Sequence, residues 1–122
     1  MRRAVFPLIS VVLFLSALQL FAQSTYTAEQ AKSHIGERAT VCGLVASAHY
    51  AASSKGQPTF LNLDKPYPNQ IFTVLIWGSD RPQFGTPERD YVRKKVCATG
   101  MIEQFRGTAE IIARSPSEIR IK

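Results

Sequence analysis

Two aromatic side chains and three cations carry the most usable chemistry in this 122-residue sequence. Phe60 and Trp77 each offer a flat face on which a base can stack, and Lys55, Arg81 and Arg106 lie in polar turns where a cation can meet a phosphate. Asn62 and Thr73, in the same two apolar segments as the aromatics, add neutral hydrogen-bonding groups. This is the chemistry of binding. Catalysis finds less support. His34 and His49 have no acid or nucleophile spaced to them, and a lone histidine is more often structural. Glu103 and Glu110 read as an ordinary cross-strand surface pair near Arg106. There is no phosphate-cradling glycine loop and no zinc spacing, so no enzymatic activity, metal or cofactor is expected. The alternative for each aromatic is a core position, and for each cation a solvated loop charge.

The segments that hold these residues alternate between apolar and polar side chains, the pattern of half-buried strands. The first runs from Arg38 to Tyr50 around Ala39-Thr-Val-Cys-Gly-Leu-Val45, with Gly43 expected to ease a bend. Pro58-Thr-Phe-Leu-Asn-Leu-Asp64 and Gln70-Ile-Phe-Thr-Val-Leu-Ile-Trp77 follow. Lys95-Val-Cys-Ala-Thr-Gly-Met-Ile102 and Thr108-Ala-Glu-Ile-Ile-Ala113 complete the set. Leu61 and Leu63 suit a core, which turns Phe60, Asn62 and Asp64 outward. Phe72, Val74 and Ile76 likewise suit a core, which turns Thr73, Leu75 and Trp77 outward.

Two short helices are expected. Thr27 to Ile35 carries an N-cap threonine, a capping-box Gln30 and a stop at Gly36. The second opens at Thr86-Pro87-Glu88 and runs to about Arg93, after a loop from Gly78 to Gly85. Arg93, Lys94 and Lys95 then follow a helix C-terminus, where the dipole alone favours cations. Ile119 and Ile121 alternate with charge in the tail and extend the sheet in this reading.

Arg2 and Arg3 precede an apolar run from Ala4 to Leu20, and small residues follow at Ala22 and Ser24. This is the pattern of a secretory signal peptide over residues 1–24, with an uncleaved membrane anchor as the alternative. The protein is thus expected to be periplasmic or secreted, with membrane contact only through an uncleaved leader. Residues 25–122 are long enough for one domain. The sequence carries a formal net charge of +6, and loss of the two leader arginines leaves about +4, which favours polyanionic partners. Cys42 and Cys97 are an even pair in an exported chain and are expected to form a disulfide, the alternative being two reduced thiols. Alternation with Val41, Gly43, Val96 and Ala98 turns both sulfurs outward.

Five strands with a helix between the third and fourth is the order of a closed OB-type Greek-key barrel, here with a short leading helix. Val41-Cys-Gly-Leu-Val45, Phe60-Leu-Asn-Leu-Asp64 and Val96-Cys-Ala-Thr-Gly-Met-Ile102 resemble the OB-fold nucleic-acid-binding domains, especially the anticodon-binding type. The likeness covers about Ala39 to Ile112. It implies a binding face on strands two and three, with Phe60 as the outward stacking aromatic and with flanking loops that hold Lys55, Arg81 and Arg106. It therefore implies a module for single-stranded nucleic acid, DNA or RNA. The departure is at Lys65, where anticodon binders often carry an acid. A second resemblance, to exported stress-associated OB-fold proteins of bacteria, implies an envelope module with a protein or small-ligand partner.

Overall fold

A computed structural model describes residues 3–5, 7 and 23–122. The expected leader lies for the most part outside the described residues, among which no helix is long and apolar enough to cross a membrane.

The fold is mostly β, with eight strands in one sheet. They are β1 (Thr25–Thr27), β2 (Arg38–Tyr50), β3 (Thr59–Leu63), β4 (Phe72–Ile76), β5 (Lys95–Met101), β6 (Glu103–Phe105), β7 (Thr108–Ile112) and β8 (Ile119–Ile121). The five strands read from the sequence are β2, β3, β4, β5 and β7, and three short ones are added. β1 runs parallel to the first half of β2. β6 follows β5 with only Ile102 between them, and the Ile102 N–H donates to the Glu37 carbonyl next to the Arg38–Met101 pair of the β2–β5 ladder. β8 pairs β5 antiparallel and places the tail on the sheet as expected.

β2 belongs to both halves of this sheet. Its first half, to Leu44, pairs β5, and its second half, from Val45, pairs β3. The register shifts between Val45 and Ser47, so a bulge there accompanies the change of partner. Gly43 serves a different need from the expected one. A Cβ there would stand 2.8 Å from Asp64 Oδ1, and this close approach lets Asp64 accept the Leu44 N–H at 3.0 Å. On the other side of β3, β4 pairs β3 antiparallel and β7 parallel.

The core follows the alternation of the sequence. Val41, Val45, Leu61, Leu63, Phe72 and Val74 are all fully buried. On β4 the outward phase is covered as well: Thr73 and Leu75 are buried, because Leu75 lies between Phe60 of β3 and Ile112 of β7. The expectation of a solvent-facing Leu75 is thereby corrected.

The helices are shorter than the sequence suggested. α1 (Ala28–Ala31) carries the full capping box between Thr27 and Gln30, but it ends before Ile35. The chain then turns through Gly36 at φ +91°, and the Gly36 N–H donates to the Ile102 carbonyl. α2 (Pro87–Asp90) stops three residues short of Arg93, and part of the expected loop forms a 3-10 turn over Arg81–Phe84. Phe84 from that turn is buried in the core.

Cys42 and Cys97 are directly opposed on β2 and β5 and form a disulfide, with their Cα atoms 4.0 Å apart. The expectation that both sulfurs face solvent holds only in part. Cys97 is buried, with Arg120 of β8 beside it in register. The bond is compatible with an oxidising, exported location.

Candidate functional site

A groove of about 890 Å³ lies on the outer surface of β2, β3, β4 and β7. Its floor is polar. Ser47, Asn62, Thr73 and Glu110 come from four neighbouring strands and stand in register across them. The Asn62 amide donates to Ser47 Oγ at 3.1 Å, and its carbonyl oxygen accepts from Thr73 Oγ1 at 3.4 Å. Asn62 and Thr73 are buried and tied to each other, so they shape the floor more than they reach out from it.

Aromatic side chains form the walls. Phe60 is half-buried and lines the groove. Tyr67 is 73% exposed, and its backbone N–H is held by Ser47 Oγ at 3.0 Å. Phe105, on β6, is exposed at the far side. Arg106 follows it in a left-handed conformation, φ 49°, which brings its guanidinium over the Phe105 ring at 5.1 Å from the centroid.

Glu110 completes the floor. It is 9% exposed, directly opposite Glu103 on β6. Burial first, and then the Glu103 charge, push its carboxyl above the ordinary glutamate range. The pair read from the sequence as plain surface is thus half interior.

Of the seven residues singled out from the sequence, Phe60, Asn62, Thr73 and Arg106 share this groove. Trp77, Lys55 and Arg81 do not line it. The Trp77 ring lies on Gly56, where an added Cβ would come within 2.9 Å of Cζ3. That contact, with the Gly78 N–H donating to the Gly56 carbonyl at 2.9 Å, fastens the turn after β2 to the end of β4. Lys55 stands exposed in that same turn. Arg81 is engaged elsewhere: it stacks 3.8 Å above the Tyr50 ring and donates to Glu88 Oε1 at 2.7 Å.

The groove residues that were not singled out for binding include Phe105, Glu110 and His49. Phe105 carried a signal, an aromatic beside the Arg106-Gly107 turn. Glu110 carried none, because its burial depends on β4 and β6 lying on either side of β7.

A second constellation lies at the start of the sheet. Tyr26 donates to Glu37 Oε1 at 2.6 Å, and His34 Nδ1 meets Glu37 Oε2 at 3.0 Å. The Tyr26 and His34 rings stack with centroids 3.9 Å apart. The Tyr26 hydroxyl, and then His34, hold the Glu37 carboxyl below its ordinary range. This cluster ties β1 and α1 to β2 and is structural.

No family model matches this sequence, and no curated protein does. Similarity appears in solved structures. The chain is similar to a protein described as an aspartyl-tRNA synthetase from Leishmania major Friedlin, at a TM-score of 0.55 and 7% identity over 88% of this chain. It spans 22% of that protein's length. It is also similar to the OBody AM1L10 in complex with hen egg-white lysozyme, at a TM-score of 0.55 and 22% identity, covering 83% of this chain and 94% of that one. Together with the strand arrangement, these likenesses give an OB-like fold.

Proposed function

We propose that this chain is an exported, non-catalytic OB-fold module that binds single-stranded nucleic acid along the β2–β3–β4–β7 groove. In this reading the sheet closes as a five-stranded barrel, with β5 and β6 acting as one strand interrupted at Ile102. Pairing supports it, since β5 hydrogen-bonds β2 while β6 hydrogen-bonds β7, and β4 and β7 run parallel.

The observation that carries the function is the convergence of Phe60, Tyr67, Phe105 and Arg106 on one groove. Three flat faces around a polar floor suit stacked bases, and a cation at the lip suits a phosphate between them. Lys55 then serves as a flanking contact, and Trp77 and Arg81 hold the loops that border the site.

A second reading has its own observation. Glu110 puts a carboxyl in the groove floor, which disfavours a crowded phosphate backbone there. The OBody to which the chain is similar is bound to hen egg-white lysozyme, so a protein of this fold can take a protein partner. Under this reading the ligand is a protein segment with basic or aromatic side chains.

Fluorescence anisotropy with a labelled single-stranded oligonucleotide separates the two. Residues 23–122 are expected to bind at about 50 mM salt and more weakly at about 200 mM, and Phe60→Ala to weaken binding roughly 5- to 150-fold. Salt-dependent binding indifferent to Phe60 removes the stacking role. No binding at low salt moves the assignment to a protein partner.

A further inference from the structure

The sequence explanation for Arg93, Lys94 and Lys95, cations at a helix C-terminus, does not survive the structure. α2 ends at Asp90, and Lys95 is the first residue of β5. Lys95 lies on the outer face of the three-stranded ladder β2–β5–β8. On the same face are Arg38, which is opposite Met101, Arg120, which is opposite Cys97, and Lys122, whose N–H donates to the Lys95 carbonyl. All four cations are exposed, and none is in an ion pair among the described residues. Two bordering acids are already occupied: Asp64 accepts the Leu44 N–H and Glu118 accepts the Arg114 N–H.

The apolar members of this face are aliphatic. Leu44, opposite Lys95, is 41% exposed, and Met101 is 42% exposed. No aromatic stands beside them to stack a base, so the face differs in kind from the groove. Interleaved cations and aliphatic side chains match a surface of anionic headgroups over acyl chains. The chain also enters the fold here, because β1 is the neighbour of β2 in this half of the sheet and the apolar run of the sequence leads into it.

We propose that the outer face of β2–β5–β8 docks on an anionic lipid bilayer. Lys95, Arg120 and Lys122 meet the headgroups, and Leu44 and Met101 enter the boundary below them.

The test uses residues 23–122, which contain every described strand, the disulfide and the core. Co-sedimentation with phosphatidylcholine vesicles, with and without about one-third phosphatidylglycerol, is expected to capture the protein only on the anionic vesicles. The triple variant Lys95→Gln, Arg120→Gln, Lys122→Gln is expected to lose about 100-fold in partitioning, at about fivefold for each charge. Leu44→Asn is expected to weaken capture on the same vesicles, and Phe60→Ala to leave it unchanged. The triple variant should keep the parent's far-ultraviolet circular dichroism and its oligonucleotide affinity. The proposal is overturned if the parent ignores anionic vesicles or if the triple variant binds them as the parent does. Loss of oligonucleotide affinity with intact vesicle capture overturns it too, and assigns the face to the nucleic acid.

Discussion

Glu110 shows how a single side chain changes meaning once its strand has neighbours. On β7 it lies between Thr73 of β4 and Glu103 of β6. A carboxyl held above its ordinary range binds its proton more tightly folded than unfolded. Its contribution to stability is therefore full below the ordinary glutamate pKa and is lost as pH rises through the folded value. Glu110→Gln, neutral at every pH, is expected to melt at a higher temperature than the parent at pH 7, and the difference should vanish below about pH 4. Thermal melts at the two pH values check this, and an unchanged melting temperature at pH 7 would mean that the carboxylate is fully satisfied when charged. Glu37 has the opposite sign. Its carboxyl is held down by Tyr26 and His34, so the stability it gives is present at neutral pH and lost as pH falls through its folded value. Tyr26→Phe is accordingly expected to lower stability at pH 7 and to approach the parent in acid, as urea titrations at both pH values would measure.

Between elements, two contacts bear on how firmly the strands are held. The disulfide joins β2 to β5 across a sequence separation of 55. On the chain-entropy account, closing such a loop stabilises by about 4 kcal/mol, so the Cys42→Ser, Cys97→Ser pair should lose about that much in urea unfolding. Gly100, on β5, meets β7 side-on, and a Cβ there would sit 2.8 Å from Ile111 Cγ2. Gly100→Ala is expected to cost about 1–3 kcal/mol by overpacking, with the fold retained. Much of this layer was legible in the sequence. The bounds of β2, the capping box of α1 and the opposition of Cys42 to Cys97 all rest on local alternation or on strand neighbours that the order of elements implies. What could not be read depends on long-range closure. β5 pairs β2 whereas β6, one residue later, pairs β7, and Leu75 is buried because β3 and β7 flank it. The same limit applied to the site. Phe60 was visible from its phase on β3, whereas Arg81 looked like a free loop cation until the fold set Glu88 and Tyr50 against it.

For the whole molecule, the formal charge of +6 says less than where the cations stand. The groove holds one, Arg106, together with the carboxyl of Glu110, while Lys95, Arg120 and Lys122 lie on the β2–β5–β8 ladder. A strand confined to the groove therefore meets few cations, and stacking must supply most of its affinity. Because single strands release roughly 0.7 counterion for each phosphate neutralised, a plot of log affinity against log salt is expected to fall with a slope of about −1. Arg106→Gln should flatten that slope by about 0.7, and Phe60→Ala should lower the whole line without tilting it. Anisotropy titrations across a salt series, with the parent and both variants, separate the two contributions. A parent slope steeper than about −3 would require several more phosphate contacts than the groove can offer. Cations from the other face would then have to share the strand, and the division of this small domain into a stacking groove and a separate charged face would fail.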